Sequence, residues 1–309
     1  MDKQDYAKNA PKELRAFADH LCQVKNSPLT VRSYLADMKQ FAVWFEQSNG
    51  ESLSPKRLTS RDASEFRTFL IRKKYKPKTI NRRLISLIEY CKWARYKKII
   101  SDNPLEYIKM MEEEELQPRW LTKQEEHRLV REAESAVRSA KTEPAKRRAL
   151  RDFAIVLLLL NTGLRVSELC DLEQGDLALS ERMLWVTVRV GKGGKRREVP
   201  VKNKQVLDVV KEWLDERPDV EIESVFVGRD LKSLRPSGVQ DSIKELARRA
   251  GVADVTPHTF RHTFAKRLSD AGVPETQIIK MTGHASKDTL TVYTVPTKHD
   301  LELAVERLA

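Results

Sequence analysis

Arg148–Leu169, RALRDFAIVLLLLNTGLRVSEL, is the stretch that decides how the second half of this chain folds. Arg148 to Asn161 reads as a helix with a nearly all-apolar end, and such a helix belongs at the centre of a core. Thr162-Gly163 breaks it, so that Arg165 stands at the start of a new helix. A guanidinium there can fork onto two phosphate oxygens, helped by the positive helix end. Taken alone, Arg165 could equally be a surface arginine paired with Glu168 or Asp171. Glu168 is spaced to orient Arg165 or a neighbour rather than to act on a substrate.

Two further motifs widen the reading. In His258-Thr259-Phe260-Arg261-His262, His258 and Arg261 are spaced i, i+3 at the start of a helix and point from one face. His262 lies i+4 from His258, which raises zinc as an alternative, but zinc on a helix wants His-Glu-x-x-His and a further ligand. The glutamate is absent, so His262 reads as a packed or hydrogen-bonded histidine and the motif as metal-free. The third motif runs from Thr282-Gly283-His284 to Thr291-Val292-Tyr293, and Tyr293 is the only tyrosine after Tyr107. Two guanidiniums, two imidazoles and a phenol are what attack on a phosphodiester by tyrosine would need. A free phenol has a pKa of about 10, so its ionisation at pH 7 costs about 4 kcal/mol. Neighbouring guanidiniums and a histidine base reduce that cost.

The bulk numbers fit such a partner. The chain of 309 residues is long enough for two cores, and its formal net charge of +12 favours a polyanion. Three cysteines (Cys22, Cys91, Cys170) without metal-ligand spacing argue for reduced thiols in a cytosolic compartment. The longest apolar run, Phe153 to Leu160, is too short to span a bilayer, and the charged stretch from Met1 to Arg15 shows no secretory signal. A cytoplasmic, nucleoid-associated location is expected.

The first hundred residues read as helices only. Pro11–Gln23 is amphipathic. Ser27 caps a helix carrying apolar residues from Leu29 to Phe45. Thr59 or Ser60 caps another to about Lys74. Pro77 opens a fourth, with Ile80, Leu84, Leu87, Ile88 and Cys91 on one face. From Lys56 to Lys98 there are 15 Lys/Arg against three acidic residues, Asp62, Glu65 and Glu89. Basic helix faces can touch DNA phosphates, and Lys73, Lys74, Lys76, Lys78, Arg82 and Arg83 are the candidate contacts. Residues 102–118, with the acidic run Glu112–Glu115, are expected to link an amino-terminal domain, 1–101, to a second domain, 119–309. There Thr122 and Glu125 spell a capping box. Strands are expected at Leu177–Leu179, Met183–Val190 and Arg196–Val201. The tight turn Gly191–Lys195 joins the last two and carries Lys192 and Lys195. Helices are expected near 202–216, 236–250, 258–271, 274–282, 286–293 and 298–308. The fold class is mainly α, two domains, with one small antiparallel sheet.

Taken in order, Thr-Gly-Leu-Arg with Ser-Glu-Leu, the Gly-Lys-Gly turn, His-x-x-Arg-His, and Gly-His with tyrosine nine residues later resemble the tyrosine recombinases of the lambda-integrase family. The layout is closest to Xer-type and transposon-encoded members. The resemblance implies a SAM-like core-binding domain and a catalytic domain that together clamp duplex DNA at a specific site. It implies that Tyr293 is the nucleophile, forming a 3′-phosphotyrosine. Arg165, Arg261 and His284 would hold the phosphate, His258 would be the acid/base partner, and Lys192 would protonate the leaving 5′ oxygen, with Lys195 its rival and a tentative DNA contact. It further implies no ATP or other cofactor, no obligatory metal, and a homotetramer on two sites or a pair with a second recombinase. The last helix, Lys298–Leu308, could pack in cis or on a neighbouring protomer. A catalytically inactive DNA-binding accessory protein and a type IB topoisomerase are the alternatives.

Overall fold

The computed structural model describes residues 3–24, 27–113, 118–189 and 196–283, and the chain divides into two compact units, Met1–Glu115 and Leu116–Ala309. The turn at 191–195 and the helices expected at 286–293 and 298–308 lie outside the described residues.

The first unit is built from α1 (Lys3–Lys8), α2 (Arg15–Gln23), α3 (Pro28–Asn49), α4 (Ser60–Arg72) and α5 (Pro77–Tyr96). The starts follow the local chemistry. The Ser27 side chain accepts from the Thr30 amide, and Pro28 supplies a preset φ in the first turn. Thr59 and Asp62 form a reciprocal capping box on α4. One face of α5 is buried as expected, with Ile80, Leu84, Leu87 and Cys91 at most 1% exposed. Ile88 sits at the edge of that face and is only partly buried. Aromatic rings fill the centre: Phe41 meets Phe66 edge-on at 5.0 Å, and Phe17 meets Tyr90 at 5.2 Å. Burial pushes the Cys91 thiol up to about 12, which makes it an inert core residue. The helix α1 is absent from the sequence reading, because six mostly polar residues carry too little apolar periodicity to announce it. Much of the stretch expected to link the domains packs on this unit. Leu105 is fully buried, and the Asn81 amide accepts from Met111 N at 2.7 Å and donates to Met111 O at 2.9 Å.

The second unit contains α6 (Lys123–Ser139), α7 (Glu143–Thr162), α8 (Val166–Cys170), β1 (Leu177–Leu179), β2 (Leu184–Val188), β3 (Arg197–Val201), α9 (Lys204–Glu216), α10 (Pro236–Arg249), α11 (Pro257–Asp270) and α12 (Glu275–Thr282). The helix α7 begins ahead of the expected Arg148, where Thr142 caps it and Pro144 sits in its first turn. It is the axis of the unit. Phe153 through Leu160 are all at most 4% exposed, and α6, α9, α10, α11 and β3 pack around it. Ala154 apart, each of these side chains contributes about 1.5–3 kcal/mol through burial. The antiparallel sheet has the order β1-β2-β3, with Val188 opposite Arg197 and Val186 opposite Val199. Its inner face carries Leu184, Val186, Val188, Arg197, Val199 and Val201, all buried. Among the described residues no helix is long and apolar enough to cross a membrane.

Gly163 ends α7 in the left-handed conformation, at φ 62°, with its amide on Leu159 O at 3.1 Å. A Cβ added there would stand 2.5 Å from Phe264 Cδ1. Gly163→Ala therefore combines backbone strain of about 1–2 kcal/mol with displacement of a packed ring. Gly50, at φ 71° with open space around it, carries the strain alone. Denaturant unfolding of the two alanine variants is expected to show the larger loss at Gly163. Equal losses would mean that the Phe264 contact is not tight.

Candidate active site around a shared carboxylate

The break after α7 places Arg165 as the residue capping α8, with extended backbone at φ −70° and ψ 151°. Glu168, three residues on, reaches back so that Oε2 accepts the Arg165 amide at 2.8 Å, while Oε1 accepts Arg165 Nη1 at 2.8 Å. The sequence expectation that Glu168 orients Arg165 or a neighbour thus describes half of its contacts. The other half belong to Arg197, absent from the sequence reading of the site. Its Nη1 donates to Oε1 at 2.9 Å and its Nη2 to Oε2 at 2.6 Å. Each carboxylate oxygen therefore accepts from both arginines. The Glu168 side chain is 4% exposed, that of Arg197 6%, and that of Arg165 22%. Burial alone would raise the Glu168 pKa. The bonds to Arg197 and Arg165 outweigh it and hold the carboxyl below its ordinary value.

The same two arginines grip the end of α12. Arg165 Nη2 donates to Gly283 O at 2.8 Å, and Arg197 Nε donates to Met281 O at 2.9 Å. Gly283 ends α12 at φ 68°, and a Cβ there would lie 2.9 Å from Arg197 Nη1. Only glycine both accepts this backbone and lets the guanidinium so close.

The helix α11 supplies the second half of the site. Thr256 caps it and Pro257 enters its first turn, so His258 and Arg261 come off one face. Arg261 is buried and its Nη1 donates to Gly163 O at 2.8 Å, which ties it to the α7 break. His258 is exposed. The protein packed behind it, then the charges of Arg261 and Arg165, lower its pKa, so the imidazole is neutral at pH 7. His262 is half-buried, and burial followed by His258 and Arg261 pushes it down to about 4. Arg165, Glu168, His258 and Arg261 thus converge on one locus, with Arg197 behind Glu168. Lys192, Lys195, His284 and Tyr293 lie outside the described residues. His284 follows Gly283 in the chain, and Lys192 lies in the segment between β2 and β3.

The candidate DNA contacts of the first unit divide in two. Lys73, Lys74, Lys76 and Lys78 are exposed at the turn between α4 and α5, where Lys74 adopts φ 58°. Arg82 is exposed but paired with the buried Asp37. The Arg83 side chain is 11% exposed, 3.8 Å from Asp37 and with its guanidinium 4.0 Å from the centre of the Tyr75 ring. Arg83 is thus held inside the unit by Asp37 and Tyr75, rather than standing free on its surface.

Residues 119–299 match the Phage integrase family, and residues 14–98 match its N-terminal SAM-like domain. The chain belongs to the phage integrase family. It is 32% identical over 279 residues to a tyrosine recombinase of Agathobacter rectalis, covering 89% of this chain and 88% of that protein. It is 33% identical over 297 residues to the tyrosine recombinase XerA of Pyrococcus furiosus, covering 95% and 93%. The crystal structure of XerA recombinase aligns with a TM-score of 0.52 at 26% identity, over 96% of this chain and 98% of that one. XerH bound to its palindromic difH substrate shares the fold, with a TM-score of 0.76 at 18% identity over 98% and 92% of the two chains. Family membership makes the chain an enzyme of the tyrosine recombinase class, and the fold is that of the integrases.

The histidines give a pH signature. The folded-state pKa of His262 lies below its unfolded value near 6.5, so its stabilising share is complete above that pH. It is lost as pH falls from there toward about 4. Unfolding free energies measured across this range are expected to decline, and His262→Gln is expected to remove part of the slope. An unchanged slope would contradict burial of a neutral His262.

Proposed function

We propose that the protein recombines duplex DNA at a specific site by transesterification through Tyr293. The observation that carries this reading is the convergence of Arg165, Arg261 and neutral His258 at the α7 break, with Glu168 fixing the first of them. Arg165 and Arg261 together with His284 would bind the non-bridging oxygens of the scissile phosphate. A guanidinium has five N–H donors, more than the protein acceptors named here take up, so both arginines can hold the protein and the phosphate at once. His258, uncharged at neutral pH, is suited to take the Tyr293 proton. The phenolate oxygen attacks phosphorus, the bond to the 5′ oxygen breaks, and Lys192 protonates that oxygen. A 5′-hydroxyl from a second duplex then attacks the phosphotyrosine and releases Tyr293. One phosphodiester is exchanged for another, so no ATP is needed.

The exposed lysines between α4 and α5 would touch backbone phosphates, and the net charge of +12 would add long-range attraction. Four protomers on two sites would complete the strand exchange. Related structures support a DNA substrate: XerH is bound to difH, and the Tn1549 transposon integrase is in complex with a circular intermediate DNA.

The reading is tested by incubating the protein with a randomised library of nicked duplexes and recovering adducts that survive denaturation. The intact chain is expected to yield a covalent adduct on a common sequence, and Tyr293→Phe none. An adduct that persists in Tyr293→Phe would refute the assignment of the nucleophile. Arg165→Ala, which removes one electrostatic donor, is expected to slow cleavage of the captured duplex by about 10²–10³.

A further inference from the structure

Arg197 has the contacts of a working part of the site, with Nε, Nη1 and Nη2 each donating to a protein oxygen. We propose that it is a positioning residue for the cleavage step, setting the Arg165 guanidinium through Glu168 and the end of α12 through Met281 O. This inference rests on the proposed tyrosine chemistry.

The geometry leaves little freedom. Arg197 lies on the inner face of β3 with its three named donors aimed at three protein oxygens, Oε1 and Oε2 of Glu168 and the carbonyl of Met281. Arg165 meets the other side of the same carboxylate and the carbonyl of Gly283, two residues further along the chain. Without Arg197, Glu168 loses half of its donors. Arg165 becomes its only cationic partner, and the carboxylate then competes with the phosphate for that guanidinium. The site also changes its charge balance. Two guanidiniums and one carboxylate carry a net charge of +1, whereas Arg165 with Glu168 alone carries none. Gly283 records the same constraint from the other side, since a Cβ there would collide with Arg197 Nη1 at 2.9 Å. Arg197 also stands at the start of β3, opposite Val188, so one side chain ties β3 to the end of α12.

The test uses single-turnover cleavage of the captured nicked duplex, with affinity for the same duplex measured in parallel. Arg197→Gln is expected to slow cleavage by about 10- to 100-fold, the range seen when an orienting partner is lost, with affinity essentially unchanged. In a Glu168→Gln background the same change is expected to cost clearly less, because only the tie to Met281 O remains to be lost. Arg197→Lys, which keeps the charge but not the fork, is expected to recover part of the loss, and it carries the comparison should the glutamine variant unfold. Cleavage by Arg197→Gln at the unaltered rate, or an equal loss in both backgrounds, would overturn the proposal. So would full recovery by lysine, which would reduce Arg197 to a counter-charge. Failure of the intact chain to form any adduct is a separate result. It would overturn the tyrosine chemistry and this inference with it.

Discussion

The catalytic unit is organised about one buried carboxylate. Glu168 accepts four hydrogen bonds, two from Arg165 and two from Arg197. Removing a carboxylate and a guanidinium from water costs several kcal/mol each, and the mutual attraction offsets that only when the geometry is good and the lone pairs are filled. Here they are filled. Such a cluster adds little net stability, but breaking it by removing one partner typically costs about 3–5 kcal/mol. Its contribution is orientation: the planar fork of arginine fixes direction as well as charge.

The other acceptors in the site are ends of helices. Arg261 bonds the carbonyl of Gly163 at the end of α7, and Arg165 and Arg197 bond those of Gly283 and Met281 at the end of α12. Terminal carbonyls have no partner inside their own helix and carry the negative end of its dipole, so cations settle there. Both helices stop at a left-handed glycine whose missing side chain leaves room for a neighbour, Phe264 at Gly163 and Arg197 at Gly283. Chain breaks and charge placement are therefore one design. The apolar axis α7 sets where the first break falls, and its end then seats Arg261.

Most of this architecture is legible in the sequence. Ser27, Thr122 with Glu125, and the prolines at helix starts announce their helices through local hydrogen bonding, which needs no knowledge of the fold. The run through Leu160 announces the core. Arg165, His258 and Arg261 stand out because motif spacing survives in one dimension. Arg197 is hidden because β propensity alone marks the strand around it. Strand parity places it on the same face as Val199 and Val201, and a charged residue in an inward register demands a buried partner. That signal asks for a buried acid, and the structure supplies Glu168. Arg83 could not be told from Arg82 by composition. Their separation depends on Asp37 and Tyr75, which are brought to them only by tertiary packing. The packing of Leu105 and Met111 on the first unit is likewise invisible in a stretch whose acidity and proline read as a connector.

Glu168 is ionised inside the protein because two guanidiniums demand it. Carbon-detected NMR titration of the glutamate carboxyls, with Glu168 assigned by its glutamine variant, measures this directly. The expected result is a Glu168 pKa below the ordinary glutamate value of about 4.3, and a value above it, as burial without effective partners would produce, would contradict its ionisation by the two arginines.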